Sequence, residues 1–138
     1  MLSILGVPML LATVYFAVLL IDNVDISNAA HAGAMYGMTS STFAADSQGI
    51  TEAAQAESSR FGTNLTVTPS VYFACSNAVG GTQYATTAAA SAACTGGSSY
   101  VLEFVQVLAS AAITPPGGFK GLPKTLTLNS VSIMQVEE

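Results

Sequence analysis

Few side chains in this 138-residue sequence could carry chemistry. His31 is the only histidine. As a general base or metal ligand it would need a nucleophile, an orienting acid or further ligands within reach. Its neighbours are alanines, and Asn28 and Met35 share its side at helical spacing. It therefore reads as a helix-surface or interface residue. Asp22 and Asp25, at i and i+3, have the form of a carboxylate pair for acid chemistry or Ca²⁺. Their place at the end of an uncharged run gives a plainer reading. They mark where a helix leaves an apolar layer, since charge is tolerated at that boundary and costly within it. Cys75 and Cys94 lack the CxxC or Cys/His spacing of a metal site. Outside the cytoplasm such a pair flanking a loop reads as a disulfide. Two free, buried thiols are the alternative. Asn64-Leu65-Thr66 matches the N-glycosylation sequon, a triplet that also arises by chance. The Ser/Thr-rich connection 76–99 has the composition of an O-glycosylated stretch. Glu137-Glu138 reads as a solvated tail. The sequence contains no Gly-rich phosphate loop, nucleophile elbow or metal-ligand cluster. We expect neither an enzyme nor a cofactor.

Composition narrows the class further. Apolar residues make up 51% of the chain, but charged residues only 8%, against about 25% in a typical soluble domain. The surface must be built from Ser, Thr, Ala, Gly and Asn. Net charge is −5, and Arg60, Lys120 and Lys124 are the basic residues. A nucleic-acid surface needs clustered Lys and Arg to replace phosphate counterions, so no nucleic-acid partner is expected.

The element that must position everything else is the first one. Met1–Ile21 has no charged side chain, and about 20 apolar residues as a helix cross a bilayer core. A cleaved signal peptide would have a basic start, a shorter apolar core and a small-residue cleavage site, and this run has none of these. A buried helix of a soluble domain is the other alternative, but a helix apolar all round needs cover on every side, and about 100 further residues are too few to surround it. Pro8 removes one backbone bond, so a kink or loosening is expected there. Beyond Asp22 the helix continues to about Thr39. Ala29, Gly33 and Gly37 recur every four residues, with Ala30 and Ala34 on the adjacent row. This small-residue stripe admits close backbone approach, either to a neighbour or to the chain's own sheet. Ile26, Met35 and Met38 can pack on a domain.

A break at Ser40-Ser41-Thr42 precedes a short helix capped by Asp46. Ile50, Ala53, Ala54, Glu57 and Phe61 give its spacing, and Gly62 its stop. Three strand-like segments follow: Leu65–Phe73, Tyr100–Leu108 and Thr125–Val136. Pro69 points to an edge strand or a bulge in the first. In the third, Leu126 and Leu128 share one face but Val131 and Ile133 the other, which calls for a bulge near Asn129-Ser130 or for two covered faces. Thr114-Pro115-Pro116-Gly117-Gly118 is a turn by composition. The fold class is α+β: a long N-terminal apolar helix, a short second helix and a small antiparallel sheet of about three strands. The division is residues 1–39 as membrane or filament-core helix and 40–138 as a small α+β head.

An apolar helix with an early proline, followed by Asn28-Ala29-Ala30-His31-Ala32-Gly33-Ala34-Met35-Tyr36-Gly37, resembles the TadE-like pilins of tight-adherence systems. In that family an NAA-x-AGA-x-Y block commonly follows the apolar run at this distance. The later order also matches: Ala-rich helix, Thr-rich strand, Cys-bounded loop, strand, Pro-rich turn, final strand. Such pilins usually carry a glutamate a few residues into the apolar segment. With Pro8 aligned to the family's proline, that position falls near Leu2, and Met1-Leu2-Ser3-Ile4-Leu5 contains no acid. Either the chain begins at the processed end or it is processed differently, and its helix core relies on apolar packing.

The resemblance implies a structural subunit of an extracellular pilus-like filament. Its partners would be copies of itself in a helical array and an inner-membrane assembly machinery. The helix would sit in the cytoplasmic membrane before assembly. Pro8, Ala29, Ala30, Gly33, Ala34 and Gly37 would serve helix packing and assembly. A membrane-anchored minor pseudopilin and a single-span surface binding module are the competing readings.

Overall fold

The computed structural model describes residues 2–114 and 125–137, with side chains from Gly6 onward except that of Pro8. The turn at 115–118, Lys120 and Lys124 lie outside the described residues, as do Met1 and Glu138. The architecture is α+β, with two helices laid across one face of a three-stranded antiparallel sheet.

Helix α1 runs from Leu2 to Gly37 as 36 continuous residues. The helix carries on through position 8 without interruption. Helix α2 (Ser41–Ala45) occupies the predicted break, with Ser40 as N-cap accepting from the Phe43 amide at 3.4 Å. Helix α3 (Ser47–Glu57) starts at the expected cap: the Asp46 carboxylate accepts from the Gly49 amide at 3.0 Å. It ends at Glu57, earlier than Gly62 would imply. Ser58 turns extended, and its hydroxyl leaves the helix for a long-range partner. Gly62 (φ +49) instead opens a 3-10 turn, Gly62–Asn64, in a left-handed conformation that favours glycine.

The strands are β1 (Thr66–Cys75), β2 (Val101–Ile113) and β3 (Leu126–Gln135), in the order β1-β2-β3. Pro69 sits on an edge strand, as a residue without an N–H must. The bulge expected near Asn129-Ser130 is absent. Pairing with β2 is unbroken from Leu126↔Ile113 to Gln135↔Phe104, and burial alternates along all of β3. Leu126, Leu128 and Met134 face the helices, while Val131 and Ile133 face outward, 51% and 49% exposed.

The core lies between helices and sheet in two contiguous groups. The lower one joins Ile26, Ala29 and Ala30 of α1 to Ala54, Leu65, Ala109 and Ala111. The upper one joins Ala34 to Ala44, Ile50, Val105, Val107 and Val136. Alanines of α1 and of β2 share this buried group, and their small side chains let the two elements approach closely. At the top, the Val136 amide donates to the Glu103 carbonyl at 2.9 Å and the Glu137 amide to the Met38 carbonyl at 2.8 Å. The chain's last described residues are thereby tied to the end of α1.

Cys75 and Cys94 are disulfide-bonded, with Cα atoms 5.5 Å apart. The connection they close contains helix α4 (Thr87–Ala93), capped by the Thr86 hydroxyl, which accepts from the Ala89 amide at 3.2 Å. Buried Ala90 seats this helix against β1 and β2. A bridge across 19 residues constrains the unfolded chain by about 3 kcal/mol. The double variant Cys75→Ser/Cys94→Ser, as detergent-solubilised full chain, should unfold in urea with about that much less free energy. An unchanged midpoint would show that α4 is held by its packing alone.

Candidate assembly surface and the helix–head junction

Two surfaces of α1 carry opposite assignments. Among the described side chains from Gly6 to Ile21 most are exposed and none is buried, with Tyr15, Val18 and Leu19 half-buried. Val7, Met9, Leu10, Leu11, Val14 and Phe16 are between 48% and 75% exposed. The charge-free stretch from Leu2 to Ile21 is roughly 30 Å long at 1.5 Å per residue. One helix of this chain is thus long and apolar enough to cross a membrane.

From Asp22 onward one side of α1 is fully engaged with the rest of the same chain. Ala29, Ala30 and Ala34 are 0% exposed. A β-carbon on Gly33 would meet the Ala54 Cβ and the Ile50 carbonyl oxygen, each at 3.2 Å. One on Gly37 would meet Val105 Cγ2 at 2.9 Å. The small-residue stripe therefore faces α3 and the subunit's own sheet. The opposite side, with Val24, Asn28, His31 and Met35, is open. Met35, expected to pack on the head, is 53% exposed, whereas Ile26 is buried and Met38 half-buried.

The boundary between bare and covered helix is built by Asp22 and Asp25. Asp22 is buried, and its Oδ1 lies 2.7 Å from Nε of the half-exposed Arg60. The contact is an ion pair without an aligned N–H, since that oxygen receives no hydrogen bond. Asp25 gathers the turn after α3. It accepts from the Ser58 hydroxyl at 2.6 Å, the Ser59 hydroxyl at 3.2 Å, and the amides of Ser59 and Arg60 at 3.3 and 3.4 Å. Two carboxylates on one helix thus fasten the chain that leaves α3. Burial alone would raise the Asp25 pKa, but the hydrogen bonds from Ser58, Arg60 and Ser59 together outweigh it and hold the carboxyl below its ordinary 3.8.

A second polar knot fixes the top of α1. The Tyr36 hydroxyl donates to Asp46 Oδ2 at 2.9 Å, and its ring meets Phe43 edge to face with centroids 5.0 Å apart. The Gly49 amide and the Tyr36 hydroxyl both hold the Asp46 carboxyl below its ordinary value. Gly49 is required there, because a β-carbon would collide with the Tyr36 hydroxyl and the Asp46 carboxylate.

The other candidates stay apart. His31 is exposed on the open side of α1. Asn64 is exposed at the end of the 3-10 turn, with Thr66 exposed at the start of β1. An open groove of about 580 Å³ lies at the upper end of the sheet, lined by Met38, Tyr100, Val101, Gln135, Val136 and Glu137 among others. Among the described residues no three His, Cys, Asp or Glu side chains are placed to hold a metal ion. Arg60 and Ser58 were not singled out in the sequence. The capping signal at Asp46 is local, but Asp25 and Ser58 are 33 positions apart. No family model, curated protein or solved structure matches this chain.

Two outcomes follow. Gly33→Leu places four extra carbons against the Ile50 backbone, so the head itself should lose about 3 kcal/mol. Urea unfolding of the solubilised chain reads this, and unchanged stability would mean that the stripe is not the packing surface. Because the Asp25 pKa is lowered on folding, its contribution is complete above the unfolded value and is lost as pH falls through the lower folded value. The Ser59 and Arg60 amide resonances should therefore titrate with a midpoint below 3.8 and lose that transition in Asp25→Asn. A midpoint above 3.8 would contradict the assignment.

Proposed function

We propose that this chain is a structural subunit of a helical, pilus-like filament on the cell surface, polymerising through the apolar half of α1. The observation that carries the reading is the exposed apolar helix: an uncharged run ending at Ile21 in which Val7, Met9, Leu10, Leu11, Val14, Phe16, Leu20 and Ile21 are each about half exposed or more. Each such side chain gains about 1.5–3 kcal/mol when taken out of water. Lipid provides that cover before assembly, and copies of the same helix provide it afterwards. The resemblance of the Asn28–Gly37 block to TadE-like pilins supports the same reading. The membrane-embedded precursor is its starting state, and the extracellular filament its product. The head, fastened at Asp22 and Asp25, forms the sheath.

Val14 is 56% exposed on the apolar half of α1. Val14→Asp should leave the disulfide-bonded head folded and abolish filaments, because a charge in a subunit core is buried unpaired at a cost of several kcal/mol. Negative-stain microscopy of sheared surface material, with mass spectrometry of the filaments, reads the result. Wild-type filament yield from Val14→Asp would remove α1 from the assembly mechanism.

A further inference from the structure

The sheet has two edges, and they differ. On β1, Pro69 has no N–H to offer, and Phe73 is already paired in both directions with Tyr84, each N–H to O distance being 2.8 Å. That edge is interrupted twice. On β3 no described residue pairs with the outer side over the ten residues Leu126–Gln135. The usual protections of an edge are a charge, a proline, a bulge or a short strand. Leu126-Thr127-Leu128-Asn129-Ser130-Val131-Ser132-Ile133-Met134-Gln135 contains no charge and no proline, has no bulge, and is long. Half of its backbone N–H and C=O groups point away from β2. Beside them on the outward face stand Val131 and Ile133, half-exposed, with Leu108 as the cross-strand partner of Val131.

We propose that β3 is a self-association strand: two copies of this chain pair β3 to β3, antiparallel, about a local two-fold axis at Ser132. Charge selects the occupant. The chain carries −5, and the exposed Glu52 and Glu57 on α3 repel a second copy on that side. An uncharged edge lets a like-charged copy approach and offers nothing to a cationic partner. The register follows from the side chains. With Ser132 on the axis, Val131 of each copy lies opposite Ile133 of the other, and Asn129 opposite Gln135. The exposed apolar pair is covered twice, and the polar pair meets an amide partner twice. Such a contact is isologous and closes at two copies, whereas a helical filament repeats a heterologous one. The β3 contact therefore joins subunits of neighbouring filaments and not successive subunits of one. That last consequence rests on the filament reading; the pairing does not.

The test uses the full chain in detergent micelles, which shield α1. Asn129→Cys and Gln135→Cys variants are mixed and oxidised, and covalent dimer is read on non-reducing gels and by intact mass, with the native bridge retained. Glu57→Cys is the control for chance collision. Dimer from the mixed pair at several times the control, lost when Ile133→Lys is added to both, is the expected result. Ile133 is outward and half-exposed, so lysine there leaves the core intact. Dimer yield equal to the control overturns the proposal while leaving filament assembly through α1 untouched. Trapped dimers from a chain that makes no filaments would support the β3 contact and end the filament reading.

Discussion

The constraint on which the molecule depends is that a small head is joined to a helix it cannot cover. Helix α1 is 36 residues long, but among its described residues full burial begins only at Asp22. The apolar half must find its environment outside the subunit, in lipid or in other helices. This is a property of size and charge more than of any one contact. The sheet has three strands, and their helix-facing side is already filled by the second half of α1 and by α3.

Asp22 and Asp25 convert that constraint into a defined boundary. A carboxylate inside an apolar layer is costly, and here both groups are occupied by Arg60 and by the Ser58–Arg60 turn. The same two residues thus end the bare segment and anchor the head at that level. The small residues above them let α1 lie close on its own sheet. Together these contacts seat the second half of α1 on the sheet and on α3. Helix α3, with Asp46, Glu52 and Glu57, leaves that side of the head acidic, while residues 61–102 carry no charge at all.

Much of the fold was legible from local patterns. The uncharged run ending at Ile21, the Asp46 cap, the edge placement of Pro69 and the cysteine pair each carry a short-range signal with one dominant physical reading. The misses have identifiable causes. Helix α3 stops at Glu57 because Ser58 bonds to Asp25, a partner far away in sequence. Helix α4 was hidden in a stretch that composition marks as a loop, although Thr86 followed by Ala and Ser is a capped, high-propensity run. The slip of apolar phase in β3 suggested a bulge. It is instead a regular strand with apolar residues on both faces, which periodicity alone does not separate. The Ala29–Gly37 stripe is legible as a close-packing surface, but not its partner, since α3, β2 and a neighbouring helix all fit small residues equally well.

In the proposed filament, copies of α1 cover one another. The most direct measurement is electron cryomicroscopy of surface filaments from cells producing the unmodified chain, at a resolution that traces helices. The expected result is filaments made of this chain, with the Leu2–Ile21 segments packed along the axis and the sheets outside. Filaments in which the sheets form the axis and the apolar helices lie free, or a chain found only as single copies in the membrane, would contradict it.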